Sequence, residues 1–445
     1  MLSSKIFKTY DIRGIYPDEV NEEAAEKIGA ASAKYWGEKI NEIVVARDAR
    51  LSSPSLFEAL ARGIVSQGKN VVNIGICTNP LFIFTVKNRQ PCAGIFISAS
   101  HSPRKYNGFK INAPPGIQLT DDKYAPIKEL VLGGEFSETQ KKGEIVEINV
   151  LDAYAEHIIK NSDKAISELR VVVDYGNGVG SITAKPIFEK LGLNVIPMYE
   201  EPDGNFPNHL ADPHNIENMQ ELQKRVKSEK ADLGIFFDGD ADRAYIIDEN
   251  GEIVSLDFIL ALLAEEKLKK FPGQNVYYDL RFSRIVKETI EKNGGKAVMM
   301  RVGNPFYKEK MMFEGGAVAA EFSGHIFTNE GLGIDDGLLA AIQIMNIVAK
   351  SGKKISELAA SFQKYFATPE ISLRVVDSDA ALKKAAEKYK DGHSIDLDGV
   401  YIEYPDWWFS LRKSNTEPVV RLRLEADTEE LMKEKKEELI ELIGC

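Results

Sequence analysis

The chain has 445 residues, more than a single hydrophobic core serves, so about three or four domains are expected. Its composition, 44% hydrophobic and 28% charged, is that of a globular protein, and a net charge of −12 argues against nucleic-acid or anionic-membrane partners while leaving room for an anionic small ligand in a local basic cleft. The start, MLSSKIFKTYDIRG, lacks the apolar core of a signal peptide, and no run of about 18 apolar residues could span a membrane. Three cysteines (Cys77, Cys92, Cys445) have neither metal-ligand spacing nor an even count, so a reducing, cytoplasmic setting is expected.

Taken in chain order, INEIVVARDARLSSP gives an apolar strand and a polar loop. A helix follows, with Ser53 expected as its N-cap, Pro54 at the first helical position, and Leu56, Leu60 and Ile64 on one face. Next come GKNVVNIG, a β-rich run after a glycine, and CAGIFISASH (92–101), an apolar run that stops in a polar cluster. The order then recurs. ELRVVVDYGNGVGS, GLNVIPMY and DLGIFFDGDA (232–241) repeat it, and GQNVYYDLRFSR, GKAVMMRVG and AVAAEFSGH (317–325) repeat it more loosely. The pattern predicts three similar α/β/α domains, 1–150, 151–250 and 251–365, with mixed, largely parallel sheets covered by helices. Ligand loops in such folds lie at the carboxyl ends of strands, where all three polar clusters fall. From residue 366 the period changes. VYIEYPDWWFSLRKSNTEPVVRLRLEAD reads as strands around a turn and 428–443 as a charged amphipathic helix, a smaller α+β domain over 366–445.

DGDADR crowds Asp238, Asp240 and Asp242 into five residues. Their repulsion calls for a cation, and hard oxygen ligands suit Mg2+. An EF-hand loop would need glycine at its sixth position, where Arg243 stands. A solvated acidic turn and an aspartyl-phosphate nucleophile at Asp238 are the other readings. SASHSP offers Ser100 as a nucleophile beside His101. Neighbours at a strand end are expected to point to opposite sides, and no Gly-x-Ser-x-Gly elbow is present, so His101 is read as bracing the loop. RKSNTEP joins Arg412 to two hydroxyls, an amide and turn N–H groups, the inventory of a phosphate cradle or simply of a β-turn. EFSGH is expected to put Glu321 and Ser323 on one side of an extended segment, where they could grip sugar hydroxyls, and His325 could relay a proton.

Together YDIRG (10–14), ARDARLSSP (46–54), SASHSPRKYNGFK, DGDADR, EFSGH and RKSNTEP resemble, in order and along the whole chain, the α-D-phosphohexomutase family, in its phosphomannomutase/phosphoglucomutase branch. The resemblance implies three similar α/β domains and a smaller fourth around a central cleft. It also implies a phosphoserine at Ser100, a Mg2+ site made by Ser100, Asp238, Asp240 and Asp242, and hexose 1,6-bisphosphate as intermediate and activator. Lys110 and His325 would act as general acid and base, with Arg13 and Arg243 steadying the transferring group. Hexose phosphates would be held by Tyr10, Arg281, Gly303, Asn304, Glu321, Ser323, Arg412, Ser414, Asn415, Thr416 and Arg421. The chain departs from the family pattern at Ser102, where Asn is usual, at Arg281, where Lys is common, and at Asn304, where His is common. Alternatives are a phosphoglucosamine mutase, a Mg2+-dependent sugar phosphatase using Asp238, and a non-catalytic sugar-phosphate sensor.

Overall fold

Strand and helix follow from the alternation of apolar runs with glycine- and asparagine-bearing loops, and the three copies seen in the sequence fold alike. The computed structural model describes residues 3–414 and 419–444. In the first copy, strand Glu42–Arg47 lies between Asn70–Ile76 and Cys92–Ile97, parallel to both. In the second, Arg170–Asp174 lies between Asn194–Met198 and Leu233–Phe237, again parallel to both. In the third, Asn275–Asp279 pairs in parallel with Lys296–Met300 and Val318–Ala320. Each central strand is wholly or largely buried, as its near-continuous Val/Ile/Tyr content requires. An antiparallel strand extends each of the first two sheets: Tyr106–Ala113 beside Cys92–Ile97, and Ala244–Asp248 beside Leu233–Phe237. The fold is therefore three α/β/α domains of mixed, largely parallel sheets followed by a smaller α+β domain.

That last domain is antiparallel. Its hairpin pairs Trp407–Lys413 with Val420–Ala426. The period of two sends Trp407, Phe409, Leu411, Val420, Leu422 and Leu424 into a core closed by Leu439 and Ile443 of helix Glu429–Ile443. The opposite face of the hairpin carries Arg412, Arg421 and Arg423.

One detail corrects the expected helix cap. The helix runs Ser53–Ser66, with Ser52 at the N-cap and no side-chain capping bond. Ser53 instead donates its Oγ hydrogen to Asp48 Oδ1, 2.7 Å away, so a tertiary partner takes the hydroxyl that capping would have used. Among the described residues no helix is long and apolar enough to cross a membrane. By internal contacts the chain forms two compact units. One comprises Met1–Val254, Met311–Phe313 and His325–Ser356; the other comprises Ser255–Lys310, Glu314–Gly324 and Glu357–Cys445.

Candidate active site

In the first unit the two matching strand ends carry Ser100 and the acidic triad. Strand Cys92–Ile97 stops where Ser98 Oγ accepts the Ser100 N–H at 2.8 Å, and Ser100 takes a left-handed φ of 48°. That conformation is costly for a residue with a side chain and is held from outside. Arg50, almost wholly buried, donates to the carbonyls of Ser100 (2.7 Å), Ser102 (2.6 Å), Pro103 and Tyr106 (3.0 Å each), while Asp48 fixes its Nε at 3.1 Å. The approach to the second loop is equally close. A Cβ on Gly239 would stand 2.7 Å from the Ser100 carbonyl oxygen, so only glycine fits between the serine and the acids.

The Ser100 hydroxyl lies 3.2 Å from Asp238 Oδ2 and 3.2 Å from His101 Nδ1. The expected divergence of Ser100 and His101 is thus wrong. Alternation along a strand ends at Ile97, and the positive φ of Ser100 turns both side chains to one side. His101 still braces the loop, since Arg243 Nη2 lies 2.6 Å from its Nδ1.

Asp238, Asp240 and Asp242 are fully buried, and their carboxylate oxygens come within 4.8 Å of one another. Two cations hold them. Arg243 grips Asp238 through Nε (2.9 Å) and Nη2 (2.7 Å), and Lys110 Nζ reaches Asp240 at 2.6 Å and Asp242 at 3.2 Å. Asn79 Nδ2 adds a bond to Asp242 at 2.9 Å. Oδ1 of Asp240 and Oδ1 of Asp242 are nevertheless buried with no hydrogen-bond partner among the described residues. Buried carboxylate oxygens without a hydrogen bond are expensive, and an all-oxygen donor set of this kind fits a hard divalent cation.

The electrostatics agree. Burial pushes the Asp238 carboxyl well above the usual range, and the charges of Asp242 and Asp240 push the same way against Arg243. Burial acts likewise on Asp242, but Lys110, His325, Arg243 and the Asn79 bond outweigh it and hold that group low. Burial would lower Lys110 and His325. Asp240 and Asp242 raise the lysine instead, and Asp242 and Asp335 raise the histidine. His325 Nδ1 stands 3.1 Å from Asp335 and 3.7 Å from Asp242. Arg13 joins the serine loop through a 2.8 Å bond to Ser102 Oγ, and Tyr10 is half-buried just ahead of Asp11, whose carboxylate holds Arg13.

The second unit gathers the opposite charge. Arg412 and Arg421 face each other across the hairpin as direct register partners, an arrangement that like charges disfavour. Glu370 resolves it. Its Oε1 accepts from Arg412 Nη2 (2.9 Å) and Arg281 Nη1 (3.2 Å), and its Oε2 from Arg421 Nη1 (3.1 Å). Arg281 is further bound by Asp279 (2.8 and 3.0 Å) and stands 3.4 Å from Glu321. The expected extended segment at Glu321–Ser323 is instead a turn, closed by the Gly324 N–H on the Glu321 carbonyl at 2.9 Å. The strand ends at Ala320, and Asp279 captures the Phe322 N–H at 2.7 Å. Glu321 is buried toward Arg281, while Ser323 is partly exposed in the turn. Gly303 and Asn304 open the helix Asn304–Phe313, with Gly303 at a φ of 135°. Ser414 N–H bonds the Val419 carbonyl at 2.9 Å, and Asn415 and Thr416 lie outside the described residues.

Family models match the chain domain by domain. Those for phosphoglucomutase/phosphomannomutase α/β/α domains I, II and III match residues 4–138, 152–251 and 255–365, and that for the C-terminal domain matches 345–442. The chain belongs to the phosphoglucomutase/phosphomannomutase family. Among the relatives of this phosphohexomutase, a phosphomannomutase/phosphoglucomutase of Pseudomonas syringae pv. tomato is 36% identical over 96% of the chain and 93% of its own length. A phosphomannomutase of Methanocaldococcus jannaschii is 37% identical over 99% and 97%. A solved phosphoglucomutase/phosphomannomutase family protein of Burkholderia thailandensis superposes with a TM-score of 0.91 at 32% identity, covering 99% of this chain and 98% of that one.

Reading the sequence for this phosphohexomutase missed several supporting residues. Arg50 and Asp48 lay unremarked within ARDARLSSP. Asn79 follows Thr78, which caps helix Asn79–Asn88. Asp335 and Glu370 stand in segments with no motif character. A basic residue repeated at i, i+3 in ARDAR was the one usable signal.

Proposed function

We propose that the protein is a phosphohexomutase that interconverts hexose 6-phosphate and hexose 1-phosphate, of mannose, glucose or both, through a phosphoserine and a hexose 1,6-bisphosphate. The observation that carries this reading is the Ser100 hydroxyl at 3.2 Å from Asp238, within an acidic triad in which Oδ1 of Asp240 and Oδ1 of Asp242 are buried with no hydrogen-bond partner among the described residues. Asp238, Asp240 and Asp242, with an oxygen on Ser100, would hold Mg2+, which supplies positive charge at a transferring phosphoryl group.

The chain's own residues account for the rest. A hexose phosphate binds through its existing phosphate to Arg412, Ser414, Asn415, Thr416 and Arg421. Glu321 and Ser323 take sugar hydroxyls, with Tyr10, Arg281, Gly303 and Asn304 completing the grip. The phosphoryl group on Ser100 passes to the free sugar hydroxyl. That oxygen loses its proton as the new P–O bond forms, and the serine oxygen regains one as the old bond breaks. Lys110 and His325, both touching the triad, are the donor and acceptor, and Arg13 and Arg243 hold charge at the serine loop. The bisphosphate then turns end for end, and its other phosphate returns to Ser100.

The test is to incubate the protein with Mg2+, a trace of glucose 1,6-bisphosphate and each hexose 1-phosphate in turn, following products by phosphorus NMR. Appearance of the hexose 6-phosphate supports the reading. Release of inorganic phosphate alone would replace it with a phosphatase using Asp238.

A further inference from the structure

We propose that Glu370 is a built-in competitor for the substrate's phosphate, a positioning residue whose carboxylate fills the Arg281–Arg412–Arg421 cluster and re-enters it when the bisphosphate lets go. This rests on the reading above, in which Arg412 and Arg421 of that cluster receive the phosphate that is not being transferred.

The geometry carries the inference. One carboxylate accepts a hydrogen bond from each of three guanidinium groups, at 2.9, 3.1 and 3.2 Å. That pattern is the one phosphate oxygens would use, since planar guanidinium forks serve carboxylate and phosphate alike. Three guanidinium groups converge, two of them as direct cross-strand partners, and the cluster therefore needs an anion at all times. The Glu370 side chain is half-buried, with 13% of its surface exposed, and burial would raise its pKa, but Arg281, Arg412 and Arg421 outweigh that and keep it ionised.

Its backbone is fixed close by. Thr368, two residues earlier, bonds the Leu424 carbonyl at 2.9 Å, and Ile371, the next residue, pairs with Leu422 on the strand that carries Arg421. The side chain alone can therefore give way and return. The donors are not exhausted either: Arg412 Nε is buried without a hydrogen-bond partner among the described residues.

The consequence follows from the reaction. A phosphate dianion arriving at this cluster meets a like charge already in place, so binding is weakened. In each cycle the bisphosphate must leave the arginines before its other end can be presented. A grip that is equally strong for every bound state lowers KM without raising kcat, and here it would slow the turn-over itself. The competing carboxylate weakens the ground-state grip and speeds release.

Titration calorimetry of glucose 6-phosphate on the full chain, in a Ser100→Ala background to stop turnover, tests this alongside steady-state kinetics with Ser100 intact. Glu370→Gln should bind glucose 6-phosphate about tenfold more tightly, and KM and kcat should fall together. Glu370→Asp, which keeps the charge but shortens its reach, should lie between Gln and wild type. It also serves as the test if the Gln variant does not fold. A brace with no competing role would give the opposite sign, with weaker binding and raised KM in both variants, and that result overturns the proposal. Arg412→Ala separates the two levels. Weaker binding there together with no tightening in Glu370→Gln removes the competitor and keeps the phosphate site. Unchanged binding in Arg412→Ala and Glu370→Gln removes the phosphate site and the competitor with it.

Discussion

The serine–aspartate centre of the first unit and the arginine centre of the second are buried charge clusters of opposite sign, and each is held by residues of the other sign. Three carboxylates stand against Lys110 and Arg243; three guanidinium groups stand against Glu370, with Asp279 and Glu321 on Arg281. The difference lies in what is left over. The acidic centre keeps Oδ1 of Asp240 and Oδ1 of Asp242 without a hydrogen-bond partner among the described residues, whereas the arginine centre, with Arg412 Nε left over, already holds both oxygens of the Glu370 carboxylate on its guanidinium groups. A cluster with unmet acceptors is built to receive a cation. A cluster already neutralised by its own carboxylate is built to exchange one anion for another. The first suits a resident metal, and the second suits a ligand that must come and go.

The sharpest way to break the comparison is at the serine. Ser100→Ala should reduce mutase turnover by at least about 10³-fold while hexose phosphate still binds in the second unit. Intact mass should show a phosphate increment on the wild type that is missing from the variant. Substantial turnover without Ser100 would mean that the acidic centre does not work through a phosphoserine.

Next in size is Asp240→Asn, which should cost on the order of 10²-fold in kcat and change KM by no more than a few-fold, with a chelator producing the same split in the wild type. If chelation leaves turnover intact, the triad oxygens do not mark a metal site. Glu321→Ala is smaller and belongs to the arginine centre. Loss of a charged acceptor for sugar hydroxyls should cost about 1.5–3 kcal/mol, or ~10- to 200-fold in kcat/KM, for glucose and mannose phosphates alike. Arg281 keeps Asp279 and Glu370, so the melting temperature should hardly move. A selective loss for one epimer, or a stability loss with normal kinetics, would take Glu321 out of the sugar site.

The smallest effect is on stability against pH. The arginines outweigh burial and hold Glu370 below its ordinary value of 4.5. A depressed carboxylate contributes stability that is present above its unfolded pKa and is lost as pH falls through the folded one. The melting temperature should therefore decline as pH drops below 4.5, and Glu370→Gln should flatten part of that limb. An acid limb identical in wild type and variant would show that the arginines are balanced by other groups.

Much of this was legible from local pattern. The three-fold recurrence of strand, helix, strand and polar loop was visible because every parallel core strand needs a continuous apolar run, and every ligand loop must break it with glycine and polar residues. Ser100 and Asp238 to Asp242 stood out for the same reason: their chemistry is crowded into adjacent positions at matching strand ends. Where the expectation failed, a tertiary contact had overruled a local rule. Asp48 took the hydroxyl of Ser53. Arg50 held Ser100 at a positive φ and so brought His101 to its side. Asp279 bent the segment after Ala320 into a turn.

The sequence by itself determined the repeating α/β architecture, the family and the acidic triad, because these depend on residue order within about a dozen positions. The tertiary structure alone decided which counter-charges hold each centre. Lys110 reaches acids 130 and 132 residues away, and Glu370 meets arginines 89, 42 and 51 residues away. No periodicity links such positions. They meet because separate strands are brought together by packing, and a buried charge must find its partner wherever the fold supplies one.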